Sequence, residues 1–301
     1  MNTTNAISPE NLKLGLIFGG VAALIWGAWP VVTALGVEAS LTPYQLVMLR
    51  VFIAGPLLLP WALKGTHCVR EWGKVLLLSV FAGAPYSYIV SSGFQFTTAT
   101  HGGVILPGTI MLASLLGSHF FLADRLNRYR IIGAGFILAG LFLLATGTPQ
   151  IAGAPSSITG DLLFVAGGFL WAAYTMLLRV WPMDPIVVTA RVSFVSLIGM
   201  ALVHPFTSDV DFSNLSTNML LLQAVWQGIV SSVLAIILFN RGVALLGPAR
   251  ATVANAIIPV ISTMLAFLIL SEVPTKIEAV GLLAIIVGIL VAMFLTPKHV
   301  T

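Results

Sequence analysis

The sequence predicts an all-α integral membrane protein, with ten transmembrane helices in two inverted five-helix repeats and both termini cytoplasmic. Three observations carry this. The chain is 58% hydrophobic and 8% charged, with a mean hydropathy of +1.03. Soluble domains carry about 25% charged residues, so this chain has too few polar side chains to cover a water-facing surface. Its apolar residues fall into ten runs, near 12–35, 43–63, 73–95, 98–121, 130–147, 160–180, 186–206, 218–245, 250–270 and 277–296. They run close to the ~20 residues a spanning helix needs, and none shows the period-2 alternation of a barrel strand. The charged residues between these runs, numbered here as spans 1–10, then sort by side.

Lys64, Arg70 and Lys74 lie between spans 2 and 3, and Arg125, Arg128 and Arg130 between spans 4 and 5. Arg179 ends span 6, and Arg241 and Arg250 bracket the gap between spans 8 and 9. The alternate loops hold Glu38, Asp161, Asp209 and Asp211, with Lys276 as the one clear cation. An excess of Lys and Arg marks the cytoplasmic side, and an even number of spans then puts both termini there. The first run is too long for a signal-peptide core. The net charge of +4 sits in loops between apolar runs, which speaks for membrane topology and against nucleic-acid binding. Cys68 is the single cysteine, so neither an internal disulfide nor a cysteine metal site is expected. The chain divides into a polar tail 1–11, a first repeat 12–147, an extracytoplasmic linker 148–159, a second repeat 160–296 and a tail 297–301.

The repeat is visible in matched residues. Thr97–Gly108, which opens span 4, is echoed in span 9 by Ala251–Pro259. Both read Ala-Thr, six residues, then Pro, as Ala99-Thr100…Pro107 and Ala251-Thr252…Pro259. Leu24–Trp29 in span 1 matches Phe169–Tyr174 in span 6, aligning Trp26 with Trp171. Arg50 and Arg191 each follow a proline, Pro43 and Pro185. Asp124, Gly133 and Gly140 match Glu272, Gly281 and Gly288. The order is the same in both halves, and five spans per half is an odd number, so the second copy is inserted upside down. Inverted repeats are a build of secondary transporters, with substrate held at the repeat interface.

On these residues the chain resembles the drug/metabolite transporter superfamily in its ten-span form of two EamA-type repeats. The Trp26 and Trp171 motifs, the Pro107 and Pro259 helices, and Ser271-Glu272-Val-Pro274…Gly281…Gly288 carry the resemblance, over about 12–296. The first copy departs from it: Asp124 replaces Glu and lies four residues further from its proline than Glu272 does. The resemblance implies a secondary exporter of small metabolites, most like bacterial exporters of amino acids, aromatic ones included, in the inner membrane. It implies a small-molecule substrate, no cofactor and no enzymatic activity.

Candidate path residues are the polar and aromatic groups within the apolar runs. Thr100, Gly103 and Pro107 share one helical face, as do Thr252, Asn255 and Pro259, and the two sets are expected to face each other across one path. The prolines are the expected kinks about which the halves rock. Tyr88, Ser91 and Gln95 form one face of span 3; Gln227 and Ser231 lie deep in span 8. Trp26 and Trp171 sit mid-span, where path lining and helix packing both fit. His101 near the end of span 4 fits a plain hydrogen-bonding role or a titrating one. Arg50 and Arg191 lie about two turns inside spans 2 and 7. A charge at that depth is expensive, so each either attracts an anionic group or is held by snorkelling, a nearby acid or helix carbonyls. Asp124, Asp161, Glu272 and Glu278 all lie near span ends, so no carboxylate relay is expected at depth, and facilitated export, or coupling through His or water, fits better. Helices 1, 3, 4, 6, 8 and 9 are expected to surround the path. Efflux of amphipathic drugs is the alternative within transport. An intramembrane enzyme would need an acid, base or nucleophile cluster at depth, and a channel would not saturate. No phosphate-binding loop, dinucleotide fingerprint or zinc motif is present.

Overall fold

In the computed structural model the described residues are 8–65, 68–121, 127–147, 157–181, 183–207, 210–246 and 252–294. Residues 1–7 of the first tail, the 297–301 tail, most of the 148–159 linker, and Asp124, Arg125, Asp209, Arg250 and Ala251 lie outside them. No described residue is in a strand. The helices are α1 (Pro9–Glu38), α2 (Pro43–Ala62), α3 (Val69–Ala82), α4 (Ala84–Gly93), α5 (Ala99–Phe121) and α6 (Arg128–Gly147). The second half holds α7 (Ser157–Val180), α8 (Pro185–Val203), α9 (Thr217–Val225), a π-helical stretch Trp226–Leu234, α10 (Ala235–Leu246), a 3-10 stretch Thr252–Ile257, α11 (Ile258–Leu270) and α12 (Lys276–Phe294). Among the described residues nine helical segments are long and apolar enough to cross a membrane, and Asn255–Leu270 is a shorter apolar tenth.

Local chemistry sets the helix starts. Proline sits in the first turn of α1, α2 and α8, where its missing N–H is no loss. Ser8, Thr42, Asp184 and Ser216 cap the free amides of α1, α2, α8 and α9, and Thr42 with Gln45 forms a reciprocal capping box. The first helix therefore begins at Pro9, inside what reads as a polar tail.

Three spans differ from single uninterrupted helices. Span 3 breaks at Gly83 into α3 and α4, with Pro85 in the first turn of α4. A Cβ on Gly83 would stand 2.3 Å from Ser196 Oγ and 2.4 Å from the Ser79 carbonyl oxygen, so only glycine fits the break. Span 8 carries the π-helical stretch at its centre. Span 9 starts as a 3-10 turn and becomes α-helical at Ile258, with Pro259 in the first turn of α11. This corrects the expected symmetry of the prolines: Pro107 is inside a helix, whereas Pro259 opens one. The two prolines therefore differ in effect: Pro259 in a first turn removes no ladder bond, whereas Pro107 leaves the Gly103 carbonyl without its α-helical donor.

The halves pair element by element. Span 2 lies on span 7 and span 5 on span 10; span 6 packs against spans 3 and 4 as span 1 packs against spans 8 and 9. Spans 5 and 10 cross backbone to backbone. A Cβ on Gly133 would stand 2.6 Å from the Gly288 carbonyl oxygen, and one on Gly140 would stand 2.6 Å from that of Gly281. The close packing of these glycines is therefore within one chain. The outward faces of the bundle carry large apolar side chains, Phe142, Leu162, Leu202 and Leu268 among them, as lipid contact requires.

Gly140→Val and Gly288→Val are expected to abolish the folded, monodisperse protein in detergent, because neither backbone can retreat. Gly135→Ala, where no atom lies within 4 Å of the added Cβ, is expected to leave yield and thermal midpoint unchanged. Size-exclusion profiles and unfolding curves of the three variants check this.

Candidate functional site

The end of the bundle bearing Glu38, Asp161, Glu272 and Glu278 is called here the acidic end; the end bearing Lys64, Arg70, Arg179 and Arg241 is the basic end. Two neighbouring cavities lie between them. The larger, about 810 Å³, is bounded by the start of span 2 (Thr42, Gln45), the broken middle of span 3 (Ser79, Ala84, Tyr88) and the acidic-end half of span 7 (Ser196, Met200, Val203). The smaller, about 50 Å³, lies at mid-span and is lined by Arg50, Ser87, Trp171, Tyr174, Thr189 and Ser232, among others. Ser196 lines both, and its hydroxyl accepts the Ala84 N–H at 3.0 Å, holding open the start of α4.

Aromatic rings shape the smaller cavity. Trp171 lies between Tyr86 and Tyr174, with centroids 5.2 and 5.3 Å away, so its ring is fixed from both sides. The π-helical stretch sets the polar side. Its widened turn lets Ser231 and Ser232 both donate to the Gln227 carbonyl oxygen, at 3.3 and 2.6 Å, and Ser232 also lines the cavity. Non-α turns of this kind recur at functional sites.

The basic end of this region is tied shut by Arg191. Its guanidinium donates to the Ala62 carbonyl at 3.2 Å, to the Lys64 carbonyl at 2.7 Å and to Glu71 at 3.1 Å, and it lies 5.4 Å from the centroid of the Trp72 ring. One side chain from span 7 thus joins the end of span 2 to the start of span 3. An apolar cluster of Val75, Leu78, Tyr174, Val188 and Val192 fills the layer behind it. At the acidic end the links are lighter. Tyr44 stacks on His204 with ring centroids 6.3 Å apart, and Gln45 donates to the Asp211 carbonyl at 2.7 Å. The Ser213 amide and hydroxyl hold the Asp211 carboxyl below the usual carboxylate range, keeping that loop hydrogen-bonded.

A second polar cluster lies at the acidic end, between spans 4, 6 and 10. His101 Nδ1 meets Asp161 at 2.8 Å and Nε2 meets Glu278 at 3.2 Å, with the three residues 2%, 6% and 3% exposed. Acceptors on both sides make the imidazolium the form that satisfies both. Beside it, the Glu272 carboxylate accepts the Ala99 and Thr100 amides, each at 2.8 Å, and the Thr100 hydroxyl at 2.5 Å. It is an anion on the positive end of α5, supplied from the far half of the chain. The acids near span ends therefore include two that are buried and paired, a pairing the sequence reading, which expected no carboxylate relay at depth, did not include.

Spans 4 and 9 pack directly on each other. A Cβ on Gly103 would overlap Ser262, so Gly103 meets Ser262 and not Asn255. The two spans run antiparallel, which carries Thr100 and Thr252 to opposite ends of the bundle. The expected pairing of Thr100, Gly103 and Pro107 with Thr252, Asn255 and Pro259 across one path is corrected by this packing. The side chain of Thr252 lies outside the described residues, and Asn255 Oδ1 is buried with no hydrogen-bond partner among them.

Other sequence-predicted residues divide. Trp171 and Tyr88 line the cavities, Ser91 is buried in α4, and Gln95 is exposed at the turn beyond it. Trp26, Gln227 and Ser231 belong to a seam between spans 1 and 8. There Trp26 Nε1 donates to the Ser231 carbonyl at 3.3 Å, Trp29 Nε1 to Gln227 at 2.8 Å, and Gln227 to Thr33 at 3.1 Å. The cavities thus border spans 2 and 7 instead of spans 1, 4 and 9, because glycines bring the latter into contact. A Cβ on Gly27, for example, would meet Ile261. Sequence reading missed Thr189, Ser193 and Ser196 of span 7, although their i, i+4, i+7 spacing marks one helical face.

His101→Leu leaves the Asp161 and Glu278 carboxylates facing one another without their shared donor. Breaking a buried pair in this way costs roughly 3–5 kcal/mol, and a large fall in the detergent unfolding midpoint is expected. An unchanged midpoint would show that the ring does not hold these spans together.

Comparison with known proteins agrees over nearly the whole chain. An uncharacterized transporter of Archaeoglobus fulgidus is 26% identical over 93% of this chain and 96% of its own. The uncharacterized transporters YwfM and YyaM of Bacillus subtilis are each 24% identical, over 95% of both chains and over 79% of both chains respectively. A solved crystal structure covering 97% of this chain and 98% of its own superposes with a TM-score of 0.64 at 19% identity, a likeness of fold. The EamA-like transporter family model matches twice, at residues 13–146 and 158–294. With two such repeats and the multi-pass helical architecture described above, the chain belongs to the EamA-like transporter family.

Proposed function

We propose that this transporter exports small metabolites across the cytoplasmic membrane by alternating access, with amino acids of apolar or aromatic side chain as the leading class. The observation that carries the reading is the cavity pair between spans 2, 3 and 7, tied shut at the basic end by Arg191 and bordered at the acidic end by lighter contacts. Its inner chamber pairs Trp171 and Tyr174 with hydroxyls, which suits a solute with an apolar body and a polar head. The excess of Lys and Arg at the basic end supports a cytoplasmic location for that end and for both termini. The cavities then face outward, the state in which an exporter releases its load. Efflux of amphipathic compounds is the second reading; the apolar stretch Leu76, Val80, Met200 and Phe206 in the larger cavity favours it.

Purified protein in proteoliposomes is expected to exchange labelled phenylalanine or leucine saturably, and to run downhill without a proton gradient. Absence of saturable flux across the amino acids would remove the leading class. The orientation is checked separately by Cys68, which is exposed at the basic end. A membrane-impermeant maleimide should label it in inverted vesicles and not in intact cells, and the reverse result would turn the transporter over.

A further inference from the structure

Arg50 and Arg191 hold matching places in the two halves and differ in their company. Arg191 spends its donors on two backbone carbonyls and Glu71. Among the described residues Arg50 has no hydrogen-bond, ion-pair or cation–π partner, its electrostatic neighbour being the neutral Tyr86 phenol, yet it lines the mid-span cavity. No Asp or Glu is among the residues lining either cavity. A guanidinium stays charged at any physiological pH, and a charge within the membrane is retained only with a partner or a wet path. The partner is therefore to be sought outside the chain.

A second, independent feature points the same way. The break of span 3 at Gly83 sets the N-terminal end of α4 at this cavity, with Gly83 and Ser87 in its wall. The positive end of a helix dipole favours an anion, and transporters with broken helices aim such ends at the anionic group of the substrate. The planar fork of an arginine matches a carboxylate in two parallel hydrogen bonds. Trp171 and Tyr174, in the same wall, offer apolar surface to whatever the carboxylate is attached to.

We infer that Arg50 and the N-terminal end of α4 form the subsite that binds the carboxylate of the transported solute, and that Arg50 sets a requirement for an anionic group. This rests on the reading of the two cavities as the substrate path. Arg191 has no such role, since its donors are engaged in holding spans 2 and 3.

The test uses full-length protein in detergent, with thermal unfolding as the readout. The probes are the amino acids, a set of short mono- and dicarboxylates including phenylacetate, phenylalaninamide and inorganic phosphate. Wild type is expected to be stabilised by phenylalanine and phenylacetate and not by phenylalaninamide or phosphate. Arg50→Gln should weaken the carboxylate response at least tenfold, while its unliganded midpoint equals or exceeds that of wild type, because a half-buried charge without a partner has been removed. A merely structural arginine would instead lower that midpoint. Arg50→Lys, which keeps the charge and loses the fork, should fall between the two and guards against a misfolded Gln variant. Equal carboxylate responses in wild type and Arg50→Gln, an amide response as large as the acid response, or no response of wild type to any carboxylate would overturn the inference. A response to phosphate alone would replace carboxylate recognition with phosphate recognition and overturn it as stated. If proteoliposomes show no amino-acid flux while a non-amino carboxylate stabilises wild type and not Arg50→Gln, the amino-acid reading falls and the subsite stands.

Discussion

Lipid offers no partner for a hydrogen bond, so a polar group between the membrane faces is met from within the protein or placed beside a cavity. That requirement organises this structure more than hydrophobic burial does, since apolar side chains are as well placed in lipid as in the core. Gln227 shows it plainly: it accepts from Trp29 and donates to Thr33, and through them stitches span 8 to span 1. Glu272 does the same for the start of α5, and Arg191 for the ends of spans 2 and 3. In each case the partner comes from the other half of the chain. Neither half can satisfy its polar groups alone, and the two five-helix repeats are therefore one folding unit.

Much of the architecture was legible in the sequence because it depends on composition and period. Long apolar runs, alternating loop charges and matched motifs such as Trp26 with Trp171 are local signals that survive without any knowledge of packing. The break of span 3 was not read from the sequence, where 73–95 forms one apolar run, although Gly83-Ala84-Pro85 places a breaker pair in mid-run. What could not be read is which surfaces meet. His101, Asp161 and Glu278 are separated by 60 and 117 residues and join only because spans 4, 6 and 10 pack together. The reading of Thr100 opposite Thr252 failed for the same reason. An inverted repeat relates equivalent residues by a half-turn, which sends their ends to opposite faces.

The departures from symmetry are where chemistry concentrates. Trp171 lines a cavity while Trp26 is consumed in a helix seam. Span 3 breaks outright, whereas its counterpart, span 8, absorbs the irregularity as a π-helical stretch. Both devices put non-α backbone at mid-membrane, where irregular turns are tolerated only beside a cavity or within protein. Two copies of one plan have thus been specialised, one supplying a helix end and the other a row of hydroxyls.

The glycine crossing of spans 5 and 10 has a mechanical meaning. Gly133 against Gly288 and Gly140 against Gly281 lock carbonyls into grooves, which resists separation of the two helices and leaves a change of crossing angle as the soft motion. In the alternating-access reading proposed above, the pair would serve as the axle. Spans 2 and 7 pack chiefly on each other and on spans 3 and 8, at the far side of the molecule, so they ride on the longest lever arm. A few degrees of tilt at the axle would open or shut the mouth beside them, while the seams near the axle scarcely move.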